Sequence, residues 1–370
     1  MMPELASPGT GRDGAGAALK TCAVTTIIVS FNGRTYLKDC LQSLLAGQSN
    51  RAAHSIVVVD NASSDGSAEY VTEHFPGVVV IQSQSNGGFG AGANLGAEWA
   101  LRQADVPEVL VVLNQDTVVA HDWLDPLIEH LERNPSVAIV QPLIRLFGQE
   151  RINTSGNRSH FLGFGIMADF DQAPGRSGIQ PKAVDFASGA ALAVRASFVR
   201  EAGLFDPLYF MYLEDAELSW KARQAGYEVH LVPRSVVYHK YTSRAHVTMY
   251  YWLERNRWLL VLVYYRLSTL ALLLPAFVLM ELGQWMFAWR HGLLRSRVRV
   301  YRWFVAPAHL RMLWRARRRA AVTRKLSDRQ FLRGHCGEIH TPALNSWLLK
   351  HLGNPILDLY WRVVRRILVQ

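Results

Sequence analysis

Short apolar runs alternate with segments of helical spacing through the first 240 residues of the chain. The runs are too densely apolar for strands with one solvated face, and most are rich in Val and Ile, so we predict strands buried on both faces of a sheet. They occupy residues 23–30, 56–60, 78–81, 110–113 and 137–140. Helices are predicted over residues 36–45, up to residue 75, up to residue 104 and over residues 121–133. This alternation indicates an α/β fold with a doubly wound, mostly parallel sheet.

The run at residues 110–113 leads directly into Asn114, Gln115 and Asp116. Open α/β sheets bind their ligands where the strands leave the sheet at their carboxyl ends. An amide and a carboxylate two residues apart can turn there toward one small volume, where oxygen ligands would hold Mg2+ or Mn2+ on a diphosphate. The same side chains equally suit a turn that ends a strand, so both interpretations stay open.

A glycine-rich stretch at residues 86–94 separates the third predicted strand from the next helix. Glycines in this position let the backbone approach a phosphate or a sugar closely. Gly88, Gly90 and Ala93 also match the dinucleotide-binding pattern G-x-G-x-x-A. That pattern belongs after the first strand and needs an acid at the end of a following strand, so we disfavour a dinucleotide site.

Few apolar runs occur in residues 148–181, where we expect a long connection or a mobile flap. Gly189 and Ala190 then precede an apolar strand, as the floor beneath a ligand would require.

A helix predicted over residues 210–226 carries Glu214 and Asp215 near its start. Acids in the first turn suit the helix dipole, which explains them without any function. They also follow Phe210 and Tyr212, which suggests the wall of a pocket.

Charge is distributed unevenly along the 370 residues. The net charge is +10, yet residues 290–333 hold 14 Lys and Arg residues against one acid, so the basic character belongs to one segment. Three cysteines without metal-binding spacing fit a reducing compartment and exclude a zinc site built from cysteine. Residues 1–20 are rich in Gly, Ala and Pro and lack an apolar segment, which predicts a disordered leader and not a signal peptide.

Residues 258–370 are predicted to form a helical, membrane-associated region that follows a catalytic domain at residues 21–257. The 14 uncharged residues at 267–280 would make a helix of about 21 Å, too short for a hydrocarbon core of about 30 Å. Pro275 within this run favours a bent or re-entrant element, and flanking aromatic residues suit the headgroup level. We therefore predict binding to an anionic membrane surface without a simple span; the alternative is a soluble helical subdomain that packs on the sheet.

In the order of its motifs the chain resembles the family-2 glycosyltransferases of the GT-A fold, in particular their rhamnosyltransferase-like branch. The resemblance covers residues 25–257. The matching motifs are Ser30-Phe31-Asn32, the stretch from Val59 to Ser67, Asn86 to Gly90 with Asn94, Leu113 to Thr117, Gly189-Ala190, Glu214-Asp215 and Tyr238-His239.

The resemblance implies a role for each matched residue. Asp215 would be the catalytic base. The nucleotide-sugar donor would be bound by Phe31, Asn32, Asp60, Asn61, Asp65, Asn86, Gly88, Asn94 and Asn114. The acceptor would be bound by Glu214, Gly189 and Ala190, and Mg2+ or Mn2+ by Asp116 and His239. The family usually shows Asp-x-Asp where this chain has Asn114, a neutral and weaker ligand. A buried, hydrogen-bonded imidazole is the alternative for His239.

We therefore expect an inverting glycosyltransferase at the cytoplasmic face of the cell membrane, peripheral or monotopic. It would move a sugar, with rhamnose suggested by the branch, from a nucleoside-diphosphate donor to a glycan or polyprenyl-linked acceptor. The alternatives are a sugar nucleotidyltransferase, which should show a basic glycine-rich loop after its first strand, and a non-catalytic protein that binds nucleotide sugar or lipid. A nucleic-acid partner is not expected, because the apolar segments beside the arginines favour lipid.

Overall fold

The computed structural model describes residues 22–47, 49, 51–175, 178–241, 247–340 and 347–368, so the predicted leader at residues 1–20 lies outside the described residues. The strands are β1 (Cys22–Ser30), β2 (Ala52–Asp60), β3 (Val79–Gln82), β4 (Val109–Asn114), β5 (Thr117–Val119), β6 (Val137–Leu146), β7 (Ile152–Thr154), β8 (Asn157–Ser159), β9 (Gly165–Met167), β10 (Lys182–Ala183), β11 (Ala191–Arg195) and β12 (Glu228–His239). The helices are α1 (Arg34–Ala46), α2 (Ser67–His74), α3 (Phe89–Leu101), α4 (Asp125–Arg133), α5 (Ala196–Ala202), α6 (Glu214–Gln224), α7 (Val247–Tyr264), α8 (Leu267–Arg290), α9 (Leu294–Val305), α10 (Pro307–Thr323), α11 (Asp328–Phe331) and α12 (Asn354–Ile367).

The main sheet has the order β10-β12-β6-β11-β4-β1-β2-β3. Its β3-β2-β1-β4 half is parallel, as the βα pattern predicted. The other half is mixed, so the prediction of a mostly parallel sheet holds there only in part: β6 and β12 pair in parallel, but β11 runs antiparallel between β4 and β6. No crossover helix lies among the described residues between β6 and β11, so the chain can return in the opposite direction.

The register of the parallel half brings polar residues to one edge of the sheet. Ser30 lies opposite Asp60, and Val29 lies opposite Asn114. The carboxyl ends of β1, β2 and β4 therefore meet at the edge where ligands of such sheets bind.

Helix α3 packs unusually close to the sheet because it presents glycines to it. A Cβ atom on Gly92 would approach Val29 Cγ1 to 2.7 Å, and one on Gly96 would approach Ile27 Cγ2 to 2.5 Å. These glycines therefore permit close packing of α3 on β1, a packing role separate from any phosphate contact.

Two other predictions differ from the structure. The long connection at residues 148–181 contains β7 and a hairpin of β8 and β9. The helix predicted from residue 210 begins four residues later, at Glu214. Tyr212 and Leu213 have φ angles of 64° and 61°, and this left-handed turn redirects the chain before the helix starts.

The helices α7–α12 form a separate apolar layer against α6 and the β8–β9 hairpin. The domain boundary predicted at residue 257 falls inside α7, and α8 continues through Pro275 as one helix of 24 residues. Ion pairs buried between helices join α7, α8 and α9. In them Arg257 pairs with Glu254 at 3.0 Å and with Glu281 at 2.8 Å, while Arg297 contacts both acids. Removing one partner would leave a buried charge without compensation, so the cluster holds these helices in one arrangement.

Candidate active site

Asp116 and His239 face each other at the end of β4. The turn after β4 leads into β5, which pairs with β12 and sets Thr117 opposite His239. His239 Nε2 lies 3.3 Å from Asp116 Oδ1, and His239 Nδ1 lies 3.1 Å from Asn153 Oδ1. Nδ1–H donates to the amide oxygen of Asn153, so in the neutral imidazole the Nε2 lone pair faces the carboxylate, and a cation held by both groups would remove the repulsion between the two acceptors.

This donor set fits a divalent metal ion. A carboxylate and an imidazole suit Mn2+, and Mg2+ is commonly held by one or two carboxylates and substrate phosphates. Among the described residues no group of three or more His, Cys, Asp or Glu side chains converges, so protein ligands alone would leave coordination positions open.

Gln115, between Asn114 and Asp116, binds the loop that follows β1. Phe31 N donates to Gln115 Oε1 at 2.9 Å, and Gln115 Nε2 donates to Phe31 O at 3.3 Å. A Cβ atom on Gly33 would lie 1.9 Å from Gln115 Oε1, so only glycine leaves room for this contact. The Phe31 ring is 45% exposed and is available to stack on a base.

Asp60 is buried at the end of β2 with one oxygen still available. Its Oδ2 accepts from Ser63 N at 3.1 Å, whereas its Oδ1 has no partner among the described residues. A buried acceptor without a donor calls for one from outside the protein, such as the N–H of a nucleobase.

The side chains of Asn61 and Asn86 hydrogen-bond to each other and to the backbone of the glycine-rich stretch at residues 86–94, called the glycine loop below. Asn61 Nδ2 donates to Asn86 Oδ1 at 3.0 Å and to Gly88 O at 2.9 Å, and Asn61 Oδ1 accepts from Gly87 N. Gly88 has a φ of 87°, and a Cβ there would lie 2.0 Å from Phe210 O. The two asparagines therefore hold the loop against the segment that precedes Asp215.

Asn32 and Asp65 join the loops after β1 and β2. Ser64 N donates to Asn32 Oδ1 at 2.9 Å, and Arg34 N donates to Asp65 Oδ2 at 3.0 Å. Partial burial raises the pKa of Asp65, but hydrogen bonds from Ser67 and Arg34 outweigh that and leave the pKa below its usual value. These contacts fix the shape of the loops.

Asn94, on α3, also contacts backbone. Its Nδ2 donates to Phe205 O at 2.9 Å, and its Oδ1 accepts from Phe205 N at 3.0 Å. It therefore ties α3 to the segment before α6.

Asp215 is half-buried beside the strand-end motif. Asn114 N donates to Ala190 O at 3.0 Å, and the neighbouring Gly189 N donates to Asp215 Oδ2 at 2.8 Å. Asp215 Oδ1 accepts from Ala216 N at 2.7 Å. Gly189 and Ala190 thus connect the end of β4 to the start of α6 through backbone contacts.

Glu214 and Asp215 are adjacent acids at the start of α6, Glu214 buried and Asp215 half-buried. Burial, followed by the charge of Asp215, raises the pKa of Glu214 to about 8. Burial also raises the pKa of Asp215, although backbone N–H groups of Gly189 and Ala216 oppose that rise. Glu214 Oε2 has no hydrogen-bond partner among the described residues. Of the two acids, Asp215 is therefore the one whose ionised form is stabilised by hydrogen bonds, and the ionised form is what a general base needs.

Comparison with known proteins bears on this arrangement. The family model described as glycosyl transferase family 2 matches residues 25–198. The rhamnosyltransferase WbbL of Escherichia coli (strain K12) is 30% identical over 224 residues, which cover 57% of this chain and 80% of that protein. The chain belongs to glycosyl transferase family 2. It is therefore a glycosyltransferase, which sets aside the nucleotidyltransferase and the non-catalytic binding protein.

Two further similarities agree with this assignment. An N-acetylglucosaminyl-diphospho-decaprenol L-rhamnosyltransferase of Mycobacterium tuberculosis (strain CDC 1551 / Oshkosh) is 26% identical over 251 residues, covering 62% of this chain and 78% of that protein. The crystal structure of GalNAc-T7 with UDP, GalNAc and Mn2+ is similar in fold, with a TM-score of 0.54 and 19% identity. That match covers 67% of this glycosyltransferase and 49%, about half, of the GalNAc-T7 chain.

The residues predicted from sequence make contacts of different kinds near the ends of β1, β2 and β4, except Asn94, which lies within α3. Asp116, His239 and Asp215 present side chains that chemistry can use, and Asp60 keeps one free oxygen. The side chains of Asn32, Asn61, Asp65, Asn86 and Asn94 contact loop backbone or each other. Sequence reasoning missed Gln115, Gly33 and Asn153. The position of Gln115 inside the Asn-x-Asp motif was the only available signal, and nothing local marked Asn153.

Proposed function

We propose that this glycosyltransferase moves a sugar from a nucleoside-diphosphate donor to a hydroxyl of a lipid-linked glycan in one inverting displacement, as a step in the synthesis of a cell-surface polysaccharide. The proposal rests mainly on one observation. The Asp116–His239 pair and the half-buried Asp215 flank the same strand end, joined by the contacts Asn114–Ala190 and Gly189–Asp215.

On the donor side, Asp60 Oδ1 accepts a base N–H, and the exposed Phe31 ring stacks on the base. Asp116 and His239 would hold Mg2+ or Mn2+, which supplies positive charge to the departing diphosphate. The presence of UDP and Mn2+ in the GalNAc-T7 structure supports this proposal. Asn114 is a neutral residue, so Asp116 is the single carboxylate of the motif.

On the acceptor side, Asp215 takes the proton of the acceptor hydroxyl while that oxygen forms a bond to the anomeric carbon. The bond from that carbon to the diphosphate oxygen breaks, and its electron pair leaves with the nucleotide. A single displacement of this kind inverts the anomeric configuration. Gly189 N–H and Ala216 N–H hold the carboxylate of Asp215 in place, and Glu214, in its protonated form, donates a hydrogen bond to the acceptor.

The names of the relatives suggest the substrates. Both the Escherichia coli and the Mycobacterium tuberculosis relatives are rhamnosyltransferases, and the latter is named for a diphospho-decaprenol-linked acceptor. We therefore assign L-rhamnose from a dTDP donor as the transferred sugar and a polyprenyl-diphosphate-linked saccharide as the acceptor.

We also propose that the helical region binds the cytoplasmic face of an anionic membrane, where such an acceptor resides. One face of α8 is apolar and exposed. It carries Leu267, Leu274, Val278, Leu282, Met286 and Trp289. A second exposed apolar face lies on α12 and consists of Ile356, Leu359, Val363 and Ile367. The exposed Leu352 lies just before this helix. Tyr360 Oη donates to Leu272 O at 2.5 Å, so the two helices are neighbours.

Basic residues accompany this apolar surface. Arg311, Arg315 and Arg318 lie on one face of α10 at spacings of four and three residues, beside the exposed Leu310 and Trp314. Apolar residues that enter the headgroup region and arginines that meet anionic lipid make a peripheral membrane-binding surface.

A position in the membrane surface suits α8 better than a span. Within the described residues α8 is the one helix long and apolar enough to cross a membrane by length and composition. However, its other face is packed on protein, and its Glu281 is paired with Arg257 and Arg297. A span would have to carry these charges into hydrocarbon or break the pairs.

The proposed function is tested with the full chain, Mn2+ and a polyprenyl-diphosphate-linked N-acetylglucosamine acceptor. Nucleotide release, product formation and thermal shift are measured for dTDP-L-rhamnose, UDP-GlcNAc, UDP-galactose and GDP-mannose. We expect dTDP-L-rhamnose to raise the melting temperature and to give an inverted product. Absence of sugar transfer from all four donors would contradict the proposal.

A further inference from the structure

The backbone turn that presents Glu214 and Asp215 is strained. Tyr212 and Leu213 both adopt left-handed φ angles, of 64° and 61°, which residues with side chains rarely occupy. Leu213 is the N-cap of α6, and it makes no side-chain capping hydrogen bond. Something outside the turn must therefore keep it in this conformation.

Asn256, in the middle of α7, holds that turn. It is fully buried, and its Nδ2 donates to Met211 O at 2.9 Å and to Tyr212 O at 2.6 Å. Its Oδ1 accepts from Arg255 Nε at 2.9 Å and from Arg255 Nη2 at 2.6 Å. The orientation of the amide is unambiguous, because carbonyl oxygens can only accept and a guanidinium can only donate.

Two other residues of α7 contact the segment that leads into this turn. Arg255 Nη2 also donates to Leu208 O at 2.5 Å, and the ring of Trp252 stacks on Phe210 with centroids 4.8 Å apart. Phe210 O in turn accepts from Phe89 N at 3.0 Å, at the end of the glycine loop. The guanidinium of Arg255 also lies over the ring of Trp303 on α9, so α9 supports this contact.

We propose that Asn256 is a positioning residue for Asp215: by binding the carbonyl oxygens of Met211 and Tyr212 it fixes the left-handed turn that sets the carboxylate against the acceptor hydroxyl. Asn256 itself does not touch substrate. Loss of its amide lets the turn relax toward ordinary φ angles and moves the start of α6. Transfer then slows because a misplaced base loses most of its effect. The inference rests on the proposed role of Asp215.

The test uses Asn256→Ala, and the milder Asn256→Ser if the first variant does not fold. Gln284→Ala is the matched control, because it removes a buried amide of α8 that contacts Tyr250 and lies away from the turn. We expect kcat to fall at least tenfold in the Asn256 variant, with the donor KM within threefold of wild type. The melting temperature should fall further than in the control, because Asn256 makes four buried hydrogen bonds and Gln284 accepts one, so kcat is measured well below both melting temperatures. A kcat within threefold of wild type, or losses matched in the control, would overturn the proposal.

A double-mutant cycle separates positioning from simple loss of stability. Glycine accepts a positive φ without strain, so Tyr212→Gly should hold the turn with less help. We expect Asn256→Ala to reduce kcat at most threefold in the Tyr212→Gly background. A tenfold loss in both backgrounds would mean that Asn256 does not act through the turn. If wild type itself transfers no sugar, it is the proposed function that fails.

Discussion

The side chain of Gln115 pairs with the backbone of Phe31 through two hydrogen bonds, of 2.9 and 3.3 Å, as a neighbouring strand would. Gln115 lies next to Asp116, and Phe31 lies in the loop proposed to hold the nucleobase. The contact therefore joins the diphosphate end of the donor site to its base end.

This contact leads to a prediction for Gly33→Ala, which adds one methyl group beside Gln115. In Gly33→Ala the new Cβ would collide with Gln115 Oε1, although a backbone φ of −109° suits alanine well. Without the two hydrogen bonds, at about 1 kcal/mol each, the Phe31 loop must be ordered when nucleotide binds, which should weaken nucleotide binding about tenfold. Calorimetric titration with the donor nucleotide measures this. Gly77→Ala, where the added Cβ meets open space, is the control and should bind as wild type does. Unchanged affinity in Gly33→Ala would refute the coupling.

Asn153 predicts how metal affinity depends on a residue that would not contact the metal. It accepts from His239 Nδ1 at 3.1 Å and so keeps Nε2 directed at Asp116. Asn153→Ala should weaken Mn2+ binding about 10- to 100-fold, the usual effect of losing such a partner. Mn2+ titration in the presence of nucleotide measures the change. Thr154→Val, a neighbouring buried polar residue that contacts Gly156 and Asn157, should leave Mn2+ affinity within about threefold. Equal losses in both variants would remove His239 from the metal site.

The raised pKa of Glu214 predicts a dependence of stability on pH. Its pKa is about 8 in the folded protein and 4.5 as the ordinary value, so between these pH values the folded state holds a proton that the unfolded state has lost. The contribution to stability is complete below pH 4.5, falls by about 1.4 kcal/mol per pH unit above it, and is lost as the pH passes 8.

Glu214→Gln removes this dependence while keeping the shape of the side chain. From pH 5.5 to pH 8 the melting temperature of wild type should fall relative to that of Glu214→Gln, which scanning calorimetry at several pH values measures. Asp215 is present in both proteins, so the difference between the two curves reports the titration of Glu214 together with its interaction with Asp215. Parallel curves over this range would show that Glu214 is ionised in the folded protein.

The basic face of α10 predicts salt-sensitive binding to lipid. Full-length protein should sediment with anionic vesicles at low salt, and less with neutral vesicles or at high salt. Replacing Arg311, Arg315 and Arg318 with Gln should weaken binding at least tenfold, since each arginine near an anionic surface contributes about 1 kcal/mol.

A second triple variant provides the control for charge. Replacing Arg51, Arg102 and Arg133 with Gln changes the net charge equally, at positions just before β2, just after α3 and at the end of α4. It should bind vesicles within about twofold of wild type. Equal losses in the two triple variants, or wild type that stays in solution with anionic vesicles at low salt, would contradict the membrane proposal.

Local pattern predicted the parallel half of the fold and the strand-end residues. The runs that became β1, β2, β3 and β4 are apolar on both faces, and the alignment of their polar ends follows from parallel pairing alone. The same reasoning could not place β11. Its antiparallel insertion depends on how the connection from residue 147 to residue 190 folds, and that connection has no strong periodicity.

The role of each side chain in the site was harder to predict from the sequence than its location in the fold. Asn61 and Asn94 carry the amide groups that nucleotide sites use, but their hydrogen bonds go to loop backbone. Asn256 lies in a helix with no local sign of function, and its partners lie more than 40 residues away in sequence. Contacts of that range arise from the packing of α7 on α6, which periodicity does not encode.

Asp215→Asn tests the central claim most directly. The change nearly preserves shape, although the new amide nitrogen must face one of the two backbone N–H groups that the carboxylate now accepts from, at a cost of about 1–3 kcal/mol. Sugar transfer by the full chain is measured beside the nucleotide Kd. Glu217→Gln is the matched control, since it makes the same change at another buried acid of α6, which contacts Tyr264 and Lys221. We predict that Asp215→Asn lowers kcat by about 10²- to 10⁴-fold with the nucleotide Kd within threefold, while Glu217→Gln keeps its turnover. Turnover by Asp215→Asn equal to that of wild type would contradict the assignment of Asp215 as the base.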